Sequence, residues 1–166
     1  MENVYLASEI EFDSIVDGPG LRAVVWFQGC IHNCPGCQNP QTHDFENGVE
    51  DNTQNIVNTI LKNKFISGVT FSGGDPLIQS AACIEIAREL KKHDINIWCY
   101  TGFTWEMLQS SLNARGLFKY IDVLVDGPYI QELKSYDLTF RGSSNQRLID
   151  VQKSLKEGKV VLWEEV

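Results

Sequence analysis

Hydrophobic and polar positions along the chain switch between two periods. Arg22 to Gln28 (RAVVWFQ) is rich in β-branched and aromatic side chains, which predicts a strand. Residues 51–64 place Ile56, Val57, Ile60 and Leu61 on one face at helical spacing. Gly68 to Ser72 (GVTFS) predicts a second strand, and 77–93 a helix in which Ile78, Ala82, Ile86 and Leu90 recur every four residues. Ile95 to Thr101 (INIWCYT) reads as a third strand, followed by a helix over 104–115 with Thr104 as its N-cap. Ile121 to Val125 (IDVLV) is a fourth strand. After an irregular segment the pattern gives a helix over 146–157, N-capped within Ser143-Ser144-Asn145, and a last strand over 159–163 (KVVLW).

Strands alternating with helices indicate βαβ units and a parallel sheet. No repeat, low-complexity tract or linker divides the chain, so residues 1–166 are expected to form a single domain. A complete eight-fold barrel needs at least roughly 200 residues. The expectation is therefore an α/β fold, a partial (open) βα barrel of about five or six mainly parallel strands. On that map, four unusual clusters follow strand ends: Cys30, then Gly73-Gly74-Asp75-Pro76, then Thr101-Gly102, then Asp126-Gly127-Pro128. Parallel sheets build their sites on this rim, so four coincident clusters point to one active-site mouth.

Composition narrows the options. With 14 basic against 22 acidic residues the net charge is −8, and no basic stripe offsets it, which argues against a nucleic-acid surface. The N-terminal stretch lacks the charged start and apolar run of a signal peptide, and no run of about eighteen apolar residues suggests a membrane span. The expected location is the cytoplasm. In that reducing compartment clustered cysteines imply metal or redox chemistry rather than disulfides, and a total of five suits a disulfide framework poorly.

The cluster is GCIHNCPGC (29–37), with Cys30, Cys34 and Cys37 spaced Cys-x3-Cys-x2-Cys. Pro35 and Gly36 favour a tight turn between the second and third. One reading is a structural zinc site completed by a distant ligand among His32, His43, Cys83, His93 and Cys99. Against it, Cys83 and Cys99 fall on apolar faces, and no second Cys-x-x-Cys pair exists. The other reading is a [4Fe-4S] cluster held by three thiolates, with one iron left open for substrate or cofactor.

The cysteine spacing together with SGGDP (72–76) resembles the radical S-adenosylmethionine superfamily. By that resemblance the open iron binds the amino and carboxylate groups of S-adenosyl-L-methionine, and Gly73, Gly74 and Asp75 frame its methionine end. Many members place an aromatic residue before the third cysteine. Here that position is Gly36, so the adenine is expected to meet backbone around Gly36, Cys37 and Gln38. Asp126, closing a strand at the rim, is a further expected cofactor contact, with capping of the Asp-Gly-Pro turn as its alternative role.

Further segments narrow the resemblance. DGPGLRAVVWFQGC (17–30) is similar to the opening of activases that install glycyl radicals. WCYTGFTWEML (98–108), DVLVDGPY (122–129) and FRGSSNQRLIDVQKSL (140–155) resemble the activating proteins of anaerobic (class III) ribonucleotide reductases. The resemblance implies reductive cleavage of S-adenosylmethionine to methionine and a 5′-deoxyadenosyl radical, which takes a hydrogen from a glycine of the reductase. It leaves no role to a catalytic side chain beyond cluster and cofactor. With no other cysteine cluster in the chain, the electron is expected from an external donor such as a flavodoxin. The competing readings are a radical enzyme acting on a small molecule, of the deazaguanine-synthase type, and a non-catalytic zinc-binding module. Roles for Arg22, Arg141, Arg147, His32, His43 and Cys99 stay open at this level.

Overall fold

A computed structural model of the chain describes residues 2–32, 34–37, 40–44 and 48–164. Its centre is set by four segments whose side chains alternate between two buried faces. These are β3 (Arg22–Phe27), β5 (Gly68–Gly73), β6 (Asn96–Tyr100) and β7 (Val123–Asp126). They lie side by side in that order and all run parallel. Ala23, Val25, Phe27, Val69, Phe71, Ile97, Cys99 and Leu124 face a large apolar core. Their sequence neighbours Arg22, Thr70, Trp98 and Val123 face the other way, as a two-residue period requires.

The first face is covered by helices. In α1 (Thr53–Leu61), Ile56, Val57 and Ile60 are buried; in α2 (Ser80–Lys91), Ala82, Cys83, Ile86, Ala87 and Leu90 are. The short α3 (Trp105–Leu108) and α4 (Leu112–Phe118) add Trp105, Leu117 and Phe118, with Trp105 stacked on Phe118 at 5.0 Å. On the opposite face Trp98 is enclosed by Phe140, Trp163 and Leu148. Arg22 is buried there too. It donates to Thr70 Oγ1 at 2.8 Å, to the Val69 carbonyl at 2.9 Å and to Asn96 Oδ1 at 2.9 Å, and its guanidinium lies over Trp98. That hydrogen-bond set makes a buried cation tolerable.

Among the described residues the sheet has eight strands, more than the five or six expected. The additional ones are antiparallel margins. β1 (Asn3–Leu6) pairs with β3 and with β4 (Val49–Asn52), and β2 (Glu11–Ser14) pairs with β3. Strands of four residues such as VEDN and EFDS carry too little apolar signal to register as strands in the sequence.

The C-terminal third departs further from expectation. The helix expected over 146–157 begins only at Val151. Residues Arg147–Asp150 form β8, antiparallel to β7, and Asp150 caps α5 (Val151–Glu157) by accepting from the Lys153 amide. A strand wins there because Leu148 and Ile149 face opposite apolar clusters and Arg147 pairs across to Asp126. Ser143 is no helix cap; its buried hydroxyl accepts from the Ile130 amide. Residues 159–163 run beside β8, bonded from Asp150 N to Val161 O and from Trp163 N to Leu148 O, without forming a strand. The helix expected over 104–115 breaks in two because Ser111 starts a new cap on Ala114 N, while Thr104 caps the first piece as expected.

Candidate functional site

The site begins where β3 ends. Gly29 takes φ +107°, a left-handed conformation that glycine adopts at little cost, and its amide donates to the Thr42 carbonyl at 2.6 Å. Cys30 follows, its amide donating to the His43 carbonyl at 3.3 Å. From Cys34 to Cys37 the chain makes one tight turn, closed by Cys37 N to Cys34 O at 3.1 Å. Pro35 at its second position and Gly36 at φ +73° in its third are the signature of a type II turn. All three cysteines are half-buried, and His43 Nε2 sits 3.3 Å from Cys37 Sγ. The Gln131 side chain lies against Gly36, so the place of a bulkier residue is already filled. The expected contact at Gln38 lies outside the described residues.

The glycine turn at the end of β5 lies directly against this loop. Gly74 N donates to Phe27 O and Asp75 N to Gly29 O, each at 2.8 Å. A Cβ on Gly73 would sit 2.5 Å from Phe27 N, and one on Gly74 would sit 2.6 Å from the Gly29 carbonyl carbon. Only a backbone without side chains approaches that closely. The buried Asp75 carboxylate accepts from Leu77 N and Thr101 Oγ1, from Gly102 N, and from His32 Nε2 at 2.6 Å.

Cys30, Cys34, Cys37, Gly73, Gly74, Thr101, Gly102 and Gly127 line one cavity of about 160 Å³. All four strand ends thus contribute, as the sequence pattern anticipated. Asp126 is placed one residue behind the wall. Its buried carboxylate accepts from Trp105 N at 2.8 Å and forms a two-point ion pair with Arg147, at 2.6 and 3.0 Å. Arg147 also reaches Glu106, and that pairing holds the Glu106 carboxyl below its usual range. Arg22 is spent in the fold, as described, and Arg141 donates to the Gln146 carbonyl at 2.7 Å. Cys83 and Cys99 are fully buried, and desolvation pushes both thiols well above the usual range.

Asp17, Tyr100 and Gly142 also line the cavity, and they extend it into an open groove of about 530 Å³ bordered by Ile15, Val16 and Tyr136. Burial raises the Asp17 carboxyl above its ordinary value against the Ser14 hydrogen bond and Arg22, which act to lower it. Sequence reasoning gave none of these three a site role. Asp17 opens the quoted DGPG segment, and Tyr100 alternates with buried Cys99 on β6, so both carried a usable signal.

Among the described residues, no three His, Cys, Asp or Glu side chains close around a point as the ligands of a single ion do. Cys30, Cys34 and Cys37 line the same cavity as the side-chain-free glycine turn, and soft sulfur donors are the type that iron–sulfur clusters take. Also among the described residues, no helix is long and apolar enough to cross a membrane.

Comparison with known proteins agrees with this class of site. The model of the family described as "4Fe-4S single cluster domain" matches residues 16–149. The crystal structure of QueE from Escherichia coli shares the fold, with a TM-score of 0.50 and 14% identity over 61% of this chain and 54% of that one. The anaerobic ribonucleoside-triphosphate reductase-activating protein of Vibrio cholerae is 37% identical over 80% of this chain and 89% of its own length. Proteins of the same name from Enterobacteria phage T4 and Escherichia coli are 37% and 35% identical, over 80% of this chain and 86% and 90% of their own. The chain belongs to the 4Fe-4S single-cluster domain family and to the anaerobic ribonucleoside-triphosphate reductase-activating proteins.

Proposed function

We propose that this chain is a radical S-adenosylmethionine activase that generates a glycyl radical on an anaerobic ribonucleotide reductase. The observation that carries the reading is the apposition of the Cys30, Cys34 and Cys37 loop to the Gly73-Gly74 turn across one cavity. The names of the relatives favour the reductase as substrate over a small molecule, and the iron–sulfur family match favours a cluster over zinc.

In this reading Cys30, Cys34 and Cys37 hold a [4Fe-4S] cluster and leave one iron to S-adenosyl-L-methionine. When bound, the pair supplies a 5′-deoxyadenosyl radical for hydrogen abstraction. The chain's own work is placement. Gly73 and Gly74 present bare backbone to the methionine end, and Asp75 fixes that turn through its hydrogen bonds. Gly36 and Cys37, with Gln38, offer backbone to the adenine. Asp126 acts from behind the wall, holding the start of α3 against β8.

The parallel strands curve as an open barrel, residues 1–166 act as one domain, and the protein works in the cytoplasm. Cys83 and Cys99 are buried and do not line the cavity, so the electron comes from an external one-electron donor such as a flavodoxin. The test is to mix the reconstituted, reduced protein with S-adenosylmethionine and the reductase. A glycyl-radical resonance with matching release of 5′-deoxyadenosine is expected. Rapid cofactor cleavage with no radical on the reductase would overturn the reading.

A further inference from the structure

Asp75 has no exposed surface, yet its side chain is a carboxylate. A carboxylate offers about four lone-pair sites, and four donors of the fold meet it, three of them on Oδ2. Leu77 N donates at 3.0 Å, Thr101 Oγ1 at 2.9 Å, Gly102 N at 3.0 Å and His32 Nε2 at 2.6 Å. The donors come from its own turn, from the end of β6 and from the cysteine loop. With no exposed surface, the carboxylate is out of reach of a small ligand in the cavity.

His32 lies midway between Cys30 and Cys34, and its ring is fitted into a slot. One edge meets Phe103, with centroids 4.5 Å apart and planes at 73°. A Cβ on Gly102 would stand 2.5 Å from the ring, so the neighbouring turn is shaped around the imidazole. Among the described residues, backbone bonds hold the base of the loop, from Asp75 N to Gly29 O and from Cys30 N to His43 O in the segment that follows. Beyond Cys30, the His32 side chain reaches back to Asp75 in the turn after β5.

We propose that His32 is a positioning residue: its hydrogen bond to Asp75 docks the cysteine loop on the glycine turn, so that cluster-holding and cofactor-holding segments move as one body. This rests on the cluster and cofactor reading given above. It also gives Asp75 a task distinct from touching the cofactor, which its fully buried carboxylate does not do. Preorganisation of this kind keeps two binding segments in register without reorganisation at each binding event.

The test compares His32→Leu, which retains apolar packing without a donor, with His32→Gln, whose amide nitrogen can replace Nε2. Amide exchange is followed in both metal-free and reconstituted protein, and S-adenosylmethionine affinity is measured on the latter. In His32→Leu, protection at the Cys30, Cys37 and Asp75 amides is expected to fall roughly ten- to a hundredfold, the ratio for losing one hydrogen bond to a charged group. The cofactor dissociation constant rises by a similar factor, while the Leu77 amide stays protected. His32→Gln restores both measurements most of the way. Wild-type protection and affinity in His32→Leu, or equal loss in both variants, would overturn the proposal. Failure of the wild-type protein to bind S-adenosylmethionine would instead refute the functional reading, with the metal-free exchange data still deciding the role of His32.

Discussion

Replacing Gly74 by alanine is the sharpest structural perturbation of the site. The new Cβ would stand 2.6 Å from the Gly29 carbonyl carbon and 2.9 Å from the Thr42 carbonyl oxygen, where ordinary contact starts at 3.4 Å. Both obstacles are backbone, so no rotamer change relieves them. The glycine turn and the start of the cysteine loop must part by roughly an ångström, which takes contacts at van der Waals separation as its measure. That movement carries Asp75 N to Gly29 O and Gly74 N to Phe27 O, both now 2.8 Å, past hydrogen-bonding range. Two such bonds at about 1 kcal/mol each, added to an overpacking cost of about 1–3 kcal/mol, give a loss of about 3–5 kcal/mol. For a domain of this size that lowers Tm by roughly 10 °C.

Gly158→Ala is the control. Gly158, unlike Gly74, has a positive φ, +71°, and nothing lies within 4 Å of its Cβ, so only the backbone cost of about 1–2 kcal/mol applies. The assay is anaerobic thermal unfolding of the metal-free proteins, followed by iron determination after reconstitution. Gly74→Ala should melt far below Gly158→Ala and retain little iron. If the two melt together, or if Gly74→Ala binds iron normally, the claim that turn and loop share a backbone contact is wrong.

Other consequences are as direct. Buried Cys83 and Cys99, with thiols pushed up by desolvation, should resist alkylation; the folded, metal-free protein should show three reactive thiols, and a fourth without denaturant would contradict the packing. Burial raises the Asp17 carboxyl above its ordinary 3.8, so the folded state favours its protonated form, and that contribution fades as pH rises through the folded value. Asp17→Asn should therefore gain on wild type in unfolding free energy as pH climbs from about 4 to 7; a flat or shrinking difference would refute this. Arg147→Ala strips the ion pair from buried Asp126. It should cost roughly 2 kcal/mol in urea unfolding, below the ~3–5 kcal/mol of a wholly buried pair because the guanidinium is a third exposed.

The parts of the fold that sequence exposes well are those whose burial is two-sided. β3, β5 and β6 carry unbroken apolar or β-branched runs, and residues at their ends line the cavity. The cysteine turn was legible because Pro35 and Gly36 specify its geometry locally. The segment 147–150 was not, because RLID suits a strand or a helix equally, and the choice is made by the ion pair from Arg147 to Asp126 on another strand. Likewise, Asp75 reads as a turn residue in sequence, while its bonds to His32 and Gly102 depend on segments 43 and 27 residues away.

The central claim is that three cysteines hold the cluster and leave one iron to the cofactor. Its most direct test is electron–nuclear double resonance on the reduced, reconstituted protein with S-adenosylmethionine labelled at its carboxylate. The account predicts hyperfine coupling between the label and the cluster spin, lost when unlabelled cofactor is substituted. A cluster spectrum indifferent to the cofactor, with no coupling to the label, would contradict it.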